Sequence, residues 1–180
     1  MRLPNHRTAR RSSPGSAPEA LEGLPFLAIE HVGSTAVPGL SAKPILDIDI
    51  IVDRGVVPAA VRALEAAGYL HRGDLGVRDR EAFTSPDEQP ARNVYICVAG
   101  GLPPRNHLAV RHALRADPAL RADPGLRERY AAVKSRLAAE PNMDIHQYLA
   151  GKSAVLQDIL AGSDLTVAEK NEIYKLNAGP

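Results

Sequence analysis

Two aspartates set two positions apart, Asp47 and Asp49, interrupt the apolar run Ile45-Leu46-Asp47-Ile48-Asp49-Ile50-Ile51-Val52. Pro44 and Asp53-Arg54-Gly55 flank the run, and its β-branched and leucine content predicts a buried strand. Side chains alternate across a strand. Asp47 and Asp49 therefore share one face, while Leu46, Ile48, Ile50 and Val52 share the other. Carboxylates about 7 Å apart on an otherwise apolar strand are costly to bury without compensation. A divalent cation compensates them most simply, and Mg²⁺ is often held by one or two carboxylates together with substrate phosphate oxygens. Pairing with core arginines such as Arg111 is the structural alternative. Aspartate is disfavoured inside strands, which tilts the reading toward metal or phosphate chemistry.

Upstream, Gly33-Ser34 follows the short apolar run Phe26-Leu27-Ala28-Ile29. A glycine beside a hydroxyl lets backbone N–H groups approach a phosphate, and Ser34 or Thr35 could add a hydrogen bond. Alone, the pair would be a plain turn; its spacing to the aspartates makes it a site candidate. A Gly-Ser turn followed by Asp-x-Asp on a strand is similar to the signature of the nucleotidyltransferase superfamily. More narrowly, Ile29-Glu30-His31-Val32-Gly33-Ser34-Thr35-Ala36-Val37-Pro38-Gly39-Leu40-Ser41-Ala42-Lys43-Pro44-Ile45-Leu46-Asp47-Ile48 resembles the GrpB family, which also forms the C-terminal part of some dephospho-CoA kinases. Asn106-His107-Leu108-Ala109-Val110-Arg111-His112-Ala113-Leu114-Arg115 resembles a helix of that family, with His112 where relatives commonly carry aspartate. Tyr130-x₃-Lys134 and Tyr148-x₃-Lys152 also look like family positions, so the resemblance spans residues 26–160.

The resemblance implies a Mg²⁺- (or Mn²⁺-) dependent nucleotidyltransferase. Asp47 and Asp49 would be the catalytic, metal-holding carboxylates, and Gly33-Ser34 would grip the β- and γ-phosphates of a nucleoside triphosphate. An acceptor hydroxyl, on a small molecule, a protein or RNA, would attack the α-phosphate in line and release pyrophosphate. Such enzymes usually add a third carboxylate on a neighbouring strand. The natural strand here, residues 93–98, offers Asn93, Tyr95 and Cys97 on one face and Val94, Ile96 and Val98 on the other, with no acid on either. Glu30 and Glu81 are the acids that could replace it. The competing reading is a catalytically inactive nucleotide- or phosphate-binding module that works through association.

Further candidates come from charge. Between Gln89 and Ala116 there is no acid, while Arg92, Arg105, Arg111 and Arg115 are present. On a helix, His107, Arg111 and Arg115 fall on one face at four-residue spacing and could receive a triphosphate; a solvated helix face is the alternative. Lys43 could contact phosphate or be an ordinary surface lysine. His31 could be a structural histidine. Gly151-Lys152-Ser153 is similar to the end of a P-loop, but residue 146 is histidine and the segment lies in a helical pattern, so a P-loop is rejected.

These residues must be positioned by a chain of 180 residues, enough for one domain with a proper core. Aromatics are only 4% and tryptophan is absent, so the core must be aliphatic. A net charge of +1 favours neither nucleic acid nor a membrane surface, and any anion site must be local. The single cysteine, Cys97, excludes an intramolecular disulfide and a cysteine-rich zinc site. With no signal-peptide pattern and no apolar run of spanning length, a reducing cytoplasm is the default location.

In chain order, residues 1–20 are expected to form a flexible basic arm and residues 21–180 a single domain of the GrpB type. Relatives usually carry a longer amphipathic helix before the first strand, of which only Pro18-Glu19-Ala20-Leu21-Glu22 is hinted here. A homodimer, in which a second copy covers that edge, is the partnership this invites. Val56–Gly68 has helical periodicity. Tyr69-Leu70-His71 and Leu75-Gly76-Val77-Arg78 are short strand candidates. Residues 79–92 are expected to be mainly loop, with a brief strand at Ala82-Phe83-Thr84. Asn93–Val98 is a strand, and helices are expected over 104–116, 119–139, 143–161 and 166–176. Strands first and helices last predict an α+β fold, a mixed sheet covered by helices.

Overall fold

The central strand β2 (Leu46–Val52) runs parallel to β5 (Arg92–Val98) and antiparallel to β1 (Ala28–Val32). A computed structural model describes residues 16–40, 42–87, 89–116 and 125–178. β5 pairs antiparallel with β4 (Arg80–Thr84), which pairs with the short edge strand β3 (Leu70–His71), giving the order β1-β2-β5-β4-β3. The parallel β2–β5 pair needs a crossover. Helix α2 (Val57–Ala66) and the β3–β4 hairpin supply it.

One face of the sheet meets α2. Ile48, Ile50 and Val52 pack with Val94, Ile96, Ala60 and Leu64, as the alternation of β2 requires. A short helix α1 (Ala17–Ala20) closes this core, with Ala17 and the fully buried Leu21 in it. The expected flexible arm therefore ends earlier than residue 20. Ser16 and Glu19 form a reciprocal capping box that starts α1. Residues 1–15, the basic part of the expected arm, lie outside the described residues.

The opposite face is covered by α3 (Leu102–Arg115) and by a helical half comprising α4 (Leu126–Ala139), α5 (Ile145–Ala161) and α6 (Val167–Ala178). α5 packs against α3, α4 and α6 and carries Val155, Leu156, Ile159 and Leu160 into two aliphatic cores. A β-carbon added at Gly151 would lie 2.6 Å from the Leu137 side chain, so glycine allows α4 and α5 to close together there. This is the packing reason for the glycine of the rejected P-loop pattern.

Three boundaries differ from expectation. Leu75–Arg78 is a turn, with Leu75 at φ +50° and Gly76 at φ +75°. The adjoining strand is longer than three residues, because β4 pairs with β5 from Arg80 to Thr84. α3 begins at Leu102 rather than residue 104, since Pro103 and Pro104 occupy its first turn, where a missing N–H costs little. Of the helix expected over 119–139, residues 119–124 lie outside the described residues.

Candidate functional site

Register places the site residues in two rows across the sheet. Glu30, Asp49, Tyr95 and Ala82 are successive cross-strand partners, and so are Val32, Asp47, Asn93 and Thr84. Asp47 and Asp49 thus lie on the face away from α2, under α3. Asp49 is wholly buried. The His107 imidazole of α3 donates from Nδ1 to Asp49 Oδ2 at 2.8 Å, whereas Asp49 Oδ1 is buried with no hydrogen-bond partner. Asp47 is half-buried, and its Oδ1 accepts from the Asn93 amide at 2.8 Å.

Gly33 serves this arrangement directly. Its φ is +69°, and a β-carbon there would sit 2.2 Å from Asp47 Oδ2. The glycine seats the carboxylate. Ser34 opens the following turn, and its Oγ receives the Lys134 ammonium from α4. Thr35 turns elsewhere, donating to the Ile45 carbonyl at 3.1 Å and meeting His31 Nε2 at 2.9 Å, so it braces β1 against the approach to β2. Lys43 is exposed and close enough for its charge to bear on Lys134.

The basic face of α3 is committed to the sheet rather than presented as a free stripe. His107 holds Asp49. Arg111 donates to Glu30 and to the His31 carbonyl, both at 2.7 Å. Arg115 Nε donates to the Ala36 carbonyl at 2.7 Å. The arginine partner considered for the aspartates belongs instead to Glu30. Of the two acids considered as a third carboxylate, Glu30 shares the aspartates' face. Glu81 pairs across β5 with Ile96, pointing to the opposite face, and is bound to His71 at 2.7 Å.

Other side chains enter the site from the helical half. Tyr130 lies against Ser34, and Lys134 reaches the same hydroxyl. On α5, Lys152 sits over the Tyr148 ring, 5.2 Å from its centre. Burial pushes the Lys134 ammonium below its usual range. Burial, followed by the charge of Lys134, brings Lys152 down to about 8. Asp47 works in the opposite direction on both lysines. On β5, desolvation and then the charge of Asp47 hold the Tyr95 phenol up at about 12, and the Arg80 guanidinium lies 4.9 Å above its ring. Burial, reinforced by Asp49, pushes the Cys97 thiol up, so it is a protonated filler rather than a nucleophile. The repeated Tyr-x₃-Lys spacing on consecutive helices was the sequence signal for the lysines; the reach of Lys134 to Ser34 required the helix packing.

Among the described residues, no three histidine, cysteine, aspartate or glutamate side chains form a metal-holding group. The donor set suits a cation shared with substrate phosphates rather than a protein-only cage. Asp47 is accessible, and the unpartnered Asp49 Oδ1 gains most from a nearby positive charge. No described helix is long and apolar enough to cross a membrane.

A mixed sheet with its paired aspartates beside a Gly-Ser turn, backed by helices, defines a nucleotidyltransferase-like fold. Residues 15–162 match the family model described as GrpB protein, and the chain belongs to the GrpB family. The UPF0157 protein BH1888 of Halalkalibacterium halodurans is 34% identical over 146 residues, covering 80% of this chain and 71% of that protein. The UPF0157 protein YqkA of Bacillus subtilis is 33% identical over 132 residues, covering 72% of this chain but only 36% of the relative. The crystal structure of conserved protein GrpB from Enterococcus faecalis superposes with a TM-score of 0.65 at 28% identity, covering 88% of this chain and 89% of that one. A dephospho-CoA kinase of Mycolicibacterium paratuberculosis is 31% identical over 158 residues, with 37% of its length covered.

Proposed function

We propose that this chain binds a nucleoside triphosphate together with Mg²⁺ or Mn²⁺ and transfers its nucleoside monophosphate to an acceptor hydroxyl. The observation that carries this reading is the placement of Asp47 and Asp49 on one sheet face beside Ser34, with a buried Asp49 oxygen left unpartnered. Asp47 and Asp49 would hold the cation, whose Lewis acidity draws charge from the reacting phosphate and the departing pyrophosphate. The Asn93 amide and the His107 imidazole are positioning residues, each fixing one carboxylate oxygen. Ser34 offers its hydroxyl to a phosphate oxygen.

A second reading, binding without transfer, is favoured by one specific observation. The β5 positions beside the aspartates hold Asn93 and Tyr95, and the one acid sharing their face, Glu30, is engaged by Arg111. Calorimetric titration of ATP, GTP, CTP and UTP, with and without Mg²⁺ or Mn²⁺, tests both readings. Metal-dependent binding lost in Asp47→Asn/Asp49→Asn supports the site, and pyrophosphate release with an acceptor then selects transfer. Failure of every nucleotide to bind would overturn transfer and leave a binding scaffold.

A further inference from the structure

Three partly buried arginines are matched with acids: Arg92 meets Asp87, Arg105 meets Glu169, and Arg111 meets Glu30. Arg80 and Arg127 meet backbone carbonyls instead, and two lysines of the helical half have neither an acid nor a carbonyl among the described residues. Among the described residues, Lys134 reaches only the neutral Ser34 hydroxyl and lies over its own helix's Tyr130 ring. Among the same described residues, Lys152 lies over Tyr148 with no hydrogen-bond acceptor and no carboxylate in contact. Each lysine is penalised by burial and, for Lys152, by the other lysine. The charged groups that bear on this corner are Asp47 from β2 and the exposed Lys43; Tyr130 and Tyr148 face it as neutral phenols that burial keeps protonated.

Bringing two ammonium groups together away from water is unfavourable unless an anion joins them. The Tyr-Lys pairs are four residues apart on each helix, so each lysine lies over its own tyrosine ring, and the Lys134 charge is near enough to bear on Lys152. The anion that fits the corner offers several acceptor oxygens to two ammonium groups and a hydroxyl, which a phosphate does better than a single carboxylate. Ser34, whose oxygen receives Lys134 and which meets the Tyr130 hydroxyl, adds a hydroxyl group to the same corner.

We infer that Lys134, Lys152 and Ser34 form a subsite for the terminal phosphates of an oligophosphate. This rests on the functional reading above, and it gives the polyphosphate chain a direction: reacting phosphate at Asp47 and Asp49, tail at the lysines. A nucleoside triphosphate and free pyrophosphate share this chemistry.

The test is calorimetric titration of inorganic pyrophosphate in metal-free buffer at pH 7 against wild type, Lys134→Met/Lys152→Met, Lys134→Arg/Lys152→Arg and Asp47→Asn/Asp49→Asn. The methionine pair should weaken pyrophosphate at least tenfold, while the arginine pair keeps the charge and retains binding. The aspartate pair should bind as tightly as wild type or tighter, since it removes nearby negative charge. Circular dichroism confirms folding of each variant, and the arginine pair serves if the methionine pair does not fold. Wild type that ignores pyrophosphate, or methionine variants that bind it undiminished, would overturn the subsite. ATP and AMP titrated with Mg²⁺ then separate the sources. Lysine-dependent ATP binding with lysine-independent AMP binding assigns the corner to the nucleotide tail. Pyrophosphate binding without any nucleotide binding leaves the subsite standing and removes the functional reading.

Discussion

Replacing Lys152 by methionine should make this protein more stable near neutral pH, although it removes a proposed ligand contact. In the folded chain the ammonium is brought from its ordinary 10.5 down to about 8, chiefly by burial and next by Lys134. Between those values the unfolded chain holds a proton that the folded chain has released. Stability therefore rises with pH across that window, and the penalty is complete below pH 8. At about 1.4 kcal/mol per pH unit, the cost below pH 8 is on the order of 3 kcal/mol. Methionine fills a similar volume without the charge. Urea unfolding of wild type and Lys152→Met at pH 7 and pH 10 reads the effect. The variant's advantage should be largest at pH 7 and shrink by pH 10 as the wild-type penalty is relieved. Groups remote from Lys152 titrate alike in both proteins and cancel in the difference, and Lys134, relieved of its neighbour, shifts in the same favourable direction in the variant. An advantage that stays constant with pH, or a variant less stable at pH 7, would refute the reasoning.

Three further outcomes are expected. Gly33→Ala combines a strained φ of +69° with a β-carbon 2.2 Å from Asp47 Oδ2, so it should destabilise the fold by about 2 kcal/mol and abolish metal-dependent nucleotide binding. An alanine variant with wild-type urea midpoint and affinity would show that Asp47 moves aside freely. His107→Leu strands the wholly buried Asp49 without its partner and should cost about 3 kcal/mol in urea unfolding; a cost within error of zero would mean that Asp49 does not depend on His107. Arg111→Ala should cost about 1–2 kcal/mol, the Glu30 end being partly solvated, while pyrophosphate affinity in calorimetry stays unchanged. A tenfold loss of affinity would return Arg111 to the ligand site.

The strand that carries the aspartates was legible because its signal is local. Eight residues of alternating character fix both the strand and the face shared by Asp47 and Asp49, and Ile50 and Val52 are buried accordingly. The fates of His107, Arg111 and Arg115 were not legible. Four-residue spacing says that they share a helix face but not what that face meets, and the Arg111 partner lies 81 positions away in the chain. Glu81 looked available for the same reason, until β4 register turned it to the other face. The four-residue α1 was too short for periodicity to find, and its capping box was the usable cue. Lys134 and Lys152 were visible as a repeated spacing, yet their lack of acids depends on everything packed around them.

The seam between sheet and helical half has a mechanical consequence. Its carboxylates are anchored on β2, whereas its ammonium groups hang from α4 and α5, whose close approach depends on Gly151. A ligand spanning the seam ties two layers that meet there through the Lys134–Ser34 contact and the pull of Asp47 on the two lysines. It acts as a cross-brace, adding its binding free energy to the resistance of α4 and α5 against local opening. Amide hydrogen exchange would register occupancy as slower exchange on those helices, while α2, on the far side of the sheet, keeps its own pace.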